Sequence, residues 1–400
     1  MKTRVVIAPD GNIGLQAPIR DGTEVVVVDT ETRHAPPDVA YRVVYSVAQK
    51  AAAHRVEHLL KKTDSALRGN IGSELAAVLD ASGKECLSFI PSFPRMGRTT
   101  KDGIQYISGV PVADSVFGKD PFEPVAHSYI PDIIASQSSI KTISVPFEKA
   151  KIQCDSGKCI RIYDAQSNEQ MNEIVHFLQA QGRLHVMAGC AGLGEVLPAF
   201  ISPKRKENPI PPINKRFLVV CGSLNEITKK QLDYAQRHGF ARITLHSEQI
   251  LQPEYLESAQ GQQFMQEVWQ LVKNCERVII DTNGQINCNG TVQYMNESEG
   301  HPDEVRALIS DCLGKIVKKL IDMGMKNSIL LTGGDTLLGF IQNTSCREIV
   351  PICELASGTV LSKYVLADMD CYVFSKSGGF GKESLLWDLA ECISQGNLCK

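Results

Sequence analysis

The segment that follows an apolar run near residue 60 carries side chains suited to binding a small acid. Lys62 and Asp64 share one face if the strand continues through them, because alternate residues of a strand point the same way. Arg68 can hold a carboxylate through two parallel hydrogen bonds, while Ser65 and Asn70 can bond hydroxyl groups. The segment therefore predicts a site for a small polyhydroxy acid. The alternative is an ordinary polar loop in which Lys62 and Asp64 pair with each other at the surface.

A second polar segment, residues 91–103, follows the next predicted strand. It offers hydrogen-bond donors for an anion on Arg95, Arg98, Thr99 and Thr100. Its prolines and glycines restrict the loop that would present them. A solvent-facing turn would have a similar composition, so these residues alone make a weaker case than the first segment.

Three glycine-containing segments, 221–225, 332–336 and 375–381, each follow a predicted strand in the second half of the chain. Glycine-rich loops that lead into helices expose backbone N–H groups and the positive end of the helix dipole, an arrangement that commonly binds phosphate. The three loops together predict a nucleotide or phosphate ligand. Neither GxxxxGK[ST] nor GxGxxG at a strand–helix junction occurs, which excludes a P-loop and weakens a dinucleotide interpretation.

The elements that must position these residues alternate between short apolar runs and amphipathic stretches. Predicted strands are 24–28, 58–62, 86–90, 141–146, 184–188, 216–221, 241–245, 277–281, 328–332, 349–353 and 369–374. Predicted helices include 38–53, 73–79, 225–238, 261–273 and 302–323. This alternation, with nearly continuous apolar strands, predicts an α/β fold of largely parallel sheets flanked by helices.

The length of 400 residues exceeds the usual size of one domain, roughly 100–200 residues, and predicts two. A proline-rich, charged stretch near the middle is typical of a linker. We therefore expect an N-terminal domain over 1–203, a linker over 204–214 and a C-terminal domain over 215–400, with the ligand cleft between the two domains.

Composition excludes several classes of protein. A formal net charge of -3 gives no overall attraction to nucleic acid or to a membrane surface, so neither partner is expected. No apolar run approaches the ~20 residues of a membrane span, and no signal-peptide core is evident, which predicts a cytoplasmic protein. The 13 cysteines lack CxxC spacing and the 9 histidines lack HExxH spacing, so reduced thiols and no protein-built metal site are expected.

Read together, these motifs resemble those of the four-carbon acid sugar kinases. Residues 61–72, KKTDSALRGNIG, are similar to the family signature KxDSTLRGNIG. The resemblance continues through GRTT at 97–100, GVPV at 109–112, GCAGL at 189–193, CGS at 221–223, GGDT at 333–336, SGT at 357–359 and KSGGFG at 376–381. It covers nearly the whole chain, and the ordered set of motifs is far more specific than any one of them.

The resemblance implies an ATP-dependent kinase acting on D-erythronate, D-threonate, L-threonate or a 2-oxo-tetronate, with an acid-sugar domain followed by a nucleotide domain. It implies that Lys62, Asp64, Arg68 and Arg98 meet the substrate. From their residue types, we also expect Ser65, Asn70 and Thr99 of the same segments to bind it. The implied ATP-binding residues are Ser223, Gly333, Gly334, Asp335, Thr336, Gly378 and Gly379. Mg²⁺ is expected with the nucleotide, and the resemblance leaves a homo-oligomer open. Asp64 is the candidate base or hydroxyl-orienting group, and a structural ion pair with Arg68 is the alternative.

The sequence departs from the family pattern at its start. Family members open with a strand that ends in ADDxTGA, and we expect that strand, its loop and its helix to be absent here, with 3–8 as the family's second strand. Smaller departures are Ala66, Asp335 and Gly379 where Thr, Glu and Asn are usual. The shortened start motivates an alternative, a binding-only descendant or a truncated gene product. A nicotinamide-dependent enzyme would require a fingerprint that the sequence lacks.

Overall fold

The computed structural model describes residues 2–14, 22–119, 124–150, 157–201, 210–223, 225–283, 302–344, 346, 348–366 and 369–396. The chain divides into two compact units, one of Met1–Lys2 with Val6–Lys206 and one of Thr3–Val5 with Glu207–Lys400. Two sequence expectations fall partly outside the described residues: most of the linker over 204–214, and the absence of a helix between residues 8 and 24. Each unit is described by itself below.

The first half of the chain forms ten strands and six helices within the described residues. The strands are β1 (Thr3–Ile7), β2 (Val25–Asp29), β3 (Leu59–Lys62), β4 (Cys86–Ile90), β5 (Arg98–Lys101), β6 (Ile104–Ile107), β7 (Val110–Pro111), β8 (Thr142–Val145), β9 (Cys159–Tyr163) and β10 (Val186–Gly189). The helices are α1 (Pro37–Ala53), α2 (Ile71–Ser82), α3 (Ile130–Ala135), α4 (Asn168–Ala180), α5 (Ala191–Val196) and α6 (Pro198–Ile201).

The central sheet of the first unit runs in the order β3-β10-β4-β9-β8, and its described neighbours all pair in parallel. Its strands are apolar on both faces because helices cover both, as the composition predicts. In register, Gly189 of β10 lies beside Lys62 of β3 and Ile90 of β4. The carboxyl ends of these strands therefore form one edge, called the first-unit edge below.

Residues 91–103, read from the sequence as a loop, instead lead into an antiparallel three-stranded sheet of β5, β6 and β7. Asp102 and Gly103 form the two-residue turn between β5 and β6, with φ of 53° and 73°. Asp-Gly is the preferred sequence of such a turn because both positions require positive φ. Buried Asp164 accepts hydrogen bonds from the N–H groups of Asp102 at 2.6 Å and Gly103 at 3.0 Å, which fixes the hairpin beside β9.

The second half of the chain forms seven strands and six helices within the part that the structure describes. The strands are β11 (Phe217–Cys221), β12 (Ala241–Thr244), β13 (Arg277–Asp281), β14 (Ser328–Thr332), β15 (Glu348–Ala356), β16 (Thr359–Leu366) and β17 (Met369–Lys376). The helices are α7 (Glu226–Arg237), α8 (Ser247–Leu251), α9 (Ala259–Asn274), α10 (Pro302–Asp322), α11 (Gly334–Thr344) and α12 (Leu385–Gln395).

These strands order as β12-β13-β11-β14-β17-β16-β15. The first five pair in parallel, as predicted, whereas β17, β16 and β15 form an antiparallel extension that sequence reasoning did not foresee. β16 was missed because Ser362 and Lys363 interrupt its apolar run. The mixed α/β class and the flanking helices nonetheless confirm the predicted fold class. The carboxyl ends of β11, β13, β14 and β17 define the second-unit edge.

No helix within the described ranges is both long enough and apolar enough to cross a membrane.

Near the N-terminus, β1 and β2 run parallel, with the N–H of Ala8 donating to the carbonyl of Asp29 at 2.8 Å. The assignment of 3–8 to the family's second strand stays a prediction.

Candidate functional site

Asp64 and Arg68 form a two-pronged ion pair at the first-unit edge. Arg68 Nε lies 3.0 Å from Asp64 Oδ2, and Arg68 Nη2 lies 3.0 Å from Asp64 Oδ1. Arg33 Nη2 adds a third donor at 3.1 Å, and the N–H of Ala66 a fourth at 3.1 Å. This is the ion pair that the sequence offered as the alternative role for Asp64. The carboxylate is only 10% exposed, so the protein itself provides most of its hydrogen-bond partners.

The balance of forces on Asp64 favours its charged form. Burial alone would raise the pKa of this carboxyl, but the hydrogen bonds and charge of Arg68, with the charge of Arg33, hold the pKa below its usual range. A carboxylate stabilised in this way is a weak proton acceptor. The geometry therefore suits Asp64 for orienting other groups better than for removing a proton.

The charges of Lys62 and Asp64 both act on the thiol of Cys190, the residue that precedes α5. Burial raises the pKa of the Cys190 thiol, while the charge of Lys62 lowers it and that of Asp64 raises it. The thiol donates to the carbonyl of Pro91 at 3.1 Å, so the loops after β3, β10 and β4 lie close together. The Lys62 side chain is exposed and available to a ligand at this edge.

Asn70 holds the protein's own backbone. Its Nδ2 atom donates to the carbonyls of Thr32 at 2.8 Å, Ala35 at 2.7 Å and Arg33 at 3.3 Å, and the residue is buried. These contacts take up the amide donors that the sequence assigned to a substrate hydroxyl. Asn70 therefore fixes the segment that presents Arg33 to Asp64.

A lysine and a glutamate next to this segment form a second internal pair. Lys61 Nζ lies 2.8 Å from Glu74 Oε2, and the Thr32 hydroxyl donates to the other oxygen of Glu74. Glu74 is buried in the first turn of α2, where the helix dipole also favours a negative charge. The adjacent lysines thus differ, since Lys61 is paired internally and Lys62 faces solvent.

Phe117 brings Arg68 and Arg98 to one place, and sequence reasoning missed it. The guanidinium carbon of Arg68 lies 5.0 Å from the centre of the Phe117 ring, and that of Arg98 lies 5.9 Å from it. Guanidinium groups are attracted to aromatic faces, so one ring positions both cations. Arg98 Nε is buried without a hydrogen-bond partner. An isolated aromatic in a loop gave no periodic signal that could have identified it.

The remaining residues of the hairpin do not all face a ligand. Arg98 and Thr99 are consecutive in β5 and therefore lie on opposite faces of the strand. Thr100 is fully buried, where its hydroxyl donates to Gln105 Oε1 at 2.8 Å and lies 2.9 Å from Ser92 Oγ. Gln105 in turn donates to the carbonyl of half-buried Ser65 at 3.1 Å. Thr100 is thus a structural residue, which corrects its interpretation as an anion donor.

In the second unit, loops from the neighbouring strands β11, β14 and β17 converge on Ser223. A Cβ atom added at Gly378 would lie 2.5 Å from Ser223 Oγ, and one added at Gly333 would lie 3.7 Å from Thr336 Oγ1. Gly333 has φ of 100°, a conformation that favours glycine. These four residues, Ser223, Gly333, Thr336 and Gly378, are called the glycine cradle. The absence of side chains at two of them allows a ligand to approach the backbone closely.

Further contacts fix the glycine cradle in place. Thr336 Oγ1 accepts from the N–H of Gly222 at 3.1 Å, and Thr228 donates to the carbonyl of Gly378 at 2.6 Å. Asn283, at the end of β13, donates to the carbonyl of Ser223 at 2.9 Å. The cradle is therefore held by hydrogen bonds from three elements before any ligand binds.

The other predicted nucleotide residues adjoin the cradle. Gly334 and Asp335 are exposed in the first turn of α11, beside Gly333. A Cβ at Gly379 would lie 3.8 Å from Asn225 Nδ2, an ordinary contact. Within the described ranges, no group of three or more metal-binding side chains occurs. Asp335 is thus the one predicted nucleotide residue with a carboxylate for a cation that arrives with a phosphate.

Lys376 belongs to the KSGGFG motif, but the sequence alone gave it no role. It ends β17 directly before the third glycine loop and is buried. Burial lowers the pKa of its ammonium group to about 8. A lysine at the end of an apolar strand and before Ser-Gly-Gly was the signal available in the sequence.

Two family models match the chain in order. One, described as a sugar-binding N-terminal domain, matches residues 1–197. The other, described as a nucleotide-binding C-terminal domain, matches residues 218–386. The Asp64 and Arg98 segments lie in the first match, and the glycine cradle lies in the second.

Similar proteins cover most of the chain. The D-threonate kinase of Salmonella typhimurium is 26% identical over 388 residues, which are 93% of this chain and 89% of the relative. The D-erythronate kinase of Heliobacterium modesticaldum is 26% identical over 371 residues, with 84% and 81% covered. The crystal structure of Haemophilus influenzae protein HI1011 has the same fold, with a TM-score of 0.75 at 19% identity over 100% of this chain and 94% of that chain.

Proposed function

Because this chain belongs to the four-carbon acid sugar kinase family, we propose that it transfers the γ-phosphoryl group of ATP to a hydroxyl group of a four-carbon sugar acid. D-Threonate and D-erythronate, named in its relatives, are the first candidates. The observation that carries this proposal is the glycine cradle around Ser223, in a chain that also matches a sugar-binding domain.

The glycine cradle has the features that a nucleotide phosphate requires. Gly333 and Gly378 leave room for a phosphate to approach backbone N–H groups, and Ser223 offers a hydroxyl donor between them. Gly334 and Asp335 begin α11, whose positive end favours an anion. We assign Thr336 to holding the loop, since its hydroxyl already accepts from Gly222. Gly379 continues the same open surface beside Gly378.

The first-unit edge has the features that a sugar acid requires. The substrate is an anion with several hydroxyl groups, so it needs fixed cations beside hydroxyl partners. Arg68 and Arg98, which both contact the Phe117 ring, supply two cations, and exposed Lys62 adds a third. Ser65 supplies a hydroxyl beside Asp64. Thr99 and Asn70 remain weaker candidates, because one faces away from Arg98 and the other bonds backbone carbonyls.

For phosphoryl transfer, the protein mainly has to position the reacting groups and stabilise the charge on the phosphate. Phosphoryl transfer passes through a loose transition state, in which orientation of the hydroxyl and stabilisation of charge matter more than proton removal. Asp64, with its lowered pKa, suits orientation of the acceptor hydroxyl directly or through Arg68. Mg²⁺ would neutralise phosphate charge when bound, and we assign Asp335 to holding it, since it is the acidic residue among the expected nucleotide ligands.

The test is a titration of the full chain with Mg·ATP and a panel of sugar acids, following binding by calorimetry and ADP release by a coupled assay. We expect turnover on D-threonate, D-erythronate or another four-carbon acid. Glycerate, with three carbons, and gluconate, with six, are the matched controls and should turn over at least about tenfold more slowly.

Two outcomes would overturn the proposal. ATP binding without turnover on any four-carbon acid would favour a binding-only protein. Failure to bind ATP at all would remove the interpretation of the glycine cradle as a nucleotide site.

A further inference from the structure

Three buried polar side chains stand side by side at the second-unit edge. Strand register places Thr332 of β14 beside Lys376 of β17, and Lys376 beside Thr359 of β16. Neighbours in register project to the same face of a sheet, so the two hydroxyl groups flank the lysine side chain. These three residues are called the buried row.

The buried row has too few partners within the described part of the chain. Thr332 and Thr359 are 0% exposed and Lys376 is 3% exposed. Neither threonine hydroxyl has a hydrogen-bond partner, and the lysine ammonium donates to the carbonyl of Ser377 at 2.9 Å. Burial of polar groups without partners opposes folding, so a sheet interior rarely contains two such hydroxyls on either side of a buried lysine. Because nothing in the described chain compensates for burying these hydroxyl groups, we expect a ligand to accept or donate the missing hydrogen bonds.

The charge of Lys376 is also unbalanced. Among described residues, no carboxylate forms an ion pair with its ammonium group. The nearest acid along the same row of the sheet, Asp281, is bound through both oxygens by Arg242, at 2.6 and 3.1 Å. The thiol of Cys221, between Asp281 and Thr332 in register, is neutral because burial raises its pKa to about 12. One ammonium group and two hydroxyl groups can therefore still donate hydrogen bonds to an anion.

We propose that Lys376, Thr332 and Thr359 form a subsite that receives a phosphate group of the bound nucleotide. The inference rests on the proposed kinase function, and it adds residues that the glycine cradle does not include. We assign the buried row to a phosphate because of its position beside the glycine cradle. Gly333 directly follows Thr332, and Gly378 lies two residues after Lys376. A phosphate held in the cradle would thus be within reach of the long lysine side chain.

Proton uptake is the signature that separates this role from a structural one. The ammonium pKa of about 8 must rise when a phosphate binds beside it. Nucleotide binding above pH 8 should therefore take up a proton, and affinity should fall as the pH rises through this range. Calorimetry in buffers of different ionisation enthalpy measures that uptake directly.

The experiment compares Lys376→Met with Lys382→Met in the full chain. We expect Lys376→Met to weaken ADP binding about 30-fold, to abolish proton uptake and to leave adenosine binding unchanged. Lys382 is the matched control, because it is exposed and paired with Asp388 at 2.9 Å. Its variant should bind ADP like the parent, with the same proton uptake.

The threonines give a second readout that does not depend on the lysine variant folding. Thr332→Val and Thr359→Val keep the shape and remove the unpartnered hydroxyls. We expect the unliganded thermal midpoint to stay the same or rise, and the ADP-induced increase in that midpoint to shrink.

The results separate this inference from the kinase proposal. If wild-type chain binds ADP but Lys376→Met binds it equally well with the same proton uptake, the subsite is wrong and the kinase proposal stands. A fall in the unliganded midpoint of both threonine variants, with an unchanged ADP effect, would also overturn it. If the wild-type chain binds no nucleotide, the proposed function itself fails.

Discussion

The two carboxyl edges of this protein use polar residues in opposite ways. At the first-unit edge, Asp64 accepts from two arginines, Asn70 donates to three carbonyls, and Glu74 is paired with Lys61. At the second-unit edge, the glycine cradle is open and the hydroxyls of the buried row have no partner in the described chain. Several polar groups of the first edge are thus paired within the protein, although Arg98 Nε is not, whereas the two threonine hydroxyls of the second edge have no partner in the described chain.

The difference shows which sequence signals identify a ligand site. A cluster of polar types after a strand has two possible uses, because the same donors that bind a ligand also bind backbone and carboxylates. Asn70 illustrates the structural use. Glycine beside a buried lysine that forms no ion pair in the described chain is a stronger signal, since neither residue stabilises the unliganded fold.

The largest effect that would test the comparison is expected from Gly378→Ala. The new Cβ would lie 2.5 Å from Ser223 Oγ, so the serine hydroxyl must rotate away and the cradle must narrow. We expect ADP affinity to fall about 100-fold, measured by calorimetry. The rotation breaks only the long hydrogen bond, 3.4 Å, from the N–H of Asn225 to Ser223 Oγ, so the thermal midpoint of the unliganded chain should change little.

Gly379→Ala is the control for Gly378→Ala, because it adds the same methyl group at the next residue. Its Cβ would lie 3.8 Å from Asn225 Nδ2, an ordinary contact, so its effect on ADP affinity should be at least about tenfold smaller. Equal affinities for the two alanine variants would contradict the assignment of the cradle to a phosphate.

A smaller effect, on stability instead of ADP affinity, is expected from Asn70→Ala at the first-unit edge. The change leaves three backbone carbonyls without their donor and should cost about 2 kcal/mol, a fall of several degrees in the thermal midpoint. Thr332→Val, which removes an unpartnered hydroxyl, should not lower the midpoint. If both variants are equally unstable, the contrast between the two edges is wrong.

Much of the fold follows from hydrophobic pattern. The strands at 86–90, 277–281 and 328–332 match the observed bounds because each is a short, mainly apolar run between polar segments. The pattern fails where tertiary contacts decide. The turn of the β5–β6 hairpin is held by Asp164, which lies 61 residues beyond Gly103, and β16 is a strand because its neighbours β15 and β17 pair with it.

The candidate site was predictable to the level of segments. Lys62, Asp64 and Arg68 lie at one strand end, and Ser223, Gly333 and Gly378 converge from three loops, as the motifs indicated. What the sequence could not show is which polar groups are already satisfied, since that depends on residues distant in the chain. Thr32 accepts from Asn70, which lies 38 residues further along the chain, and Arg33 donates to Asp64, which lies 31 residues further along.

The smallest effect on stability, and the sharpest test of the first-unit edge, is expected from Asp64→Asn. The folded-state pKa of Asp64 lies below its unfolded value, so its charge stabilises the fold at neutral pH. The variant should lose about 1 kcal/mol at pH 7. This difference should disappear as the pH falls below about 4 and through the lowered folded-state pKa, because the wild-type carboxyl then also becomes protonated.

Urea unfolding of both chains at pH 7, 4 and 3 measures that difference, and Asp80→Asn is the matched control. Asp80 also has a carboxylate in contact with a lysine and a tyrosine, but it lies at the end of α2 and away from the edge. Sugar-acid turnover then separates two roles for Asp64. If it is the proton acceptor, turnover of Asp64→Asn should be nearly abolished at every pH, whereas loss of orientation alone should lower turnover by about 10- to 100-fold. A variant with full turnover and unchanged stability would contradict both roles, because nothing would then depend on the charge that Arg68 and Arg33 surround.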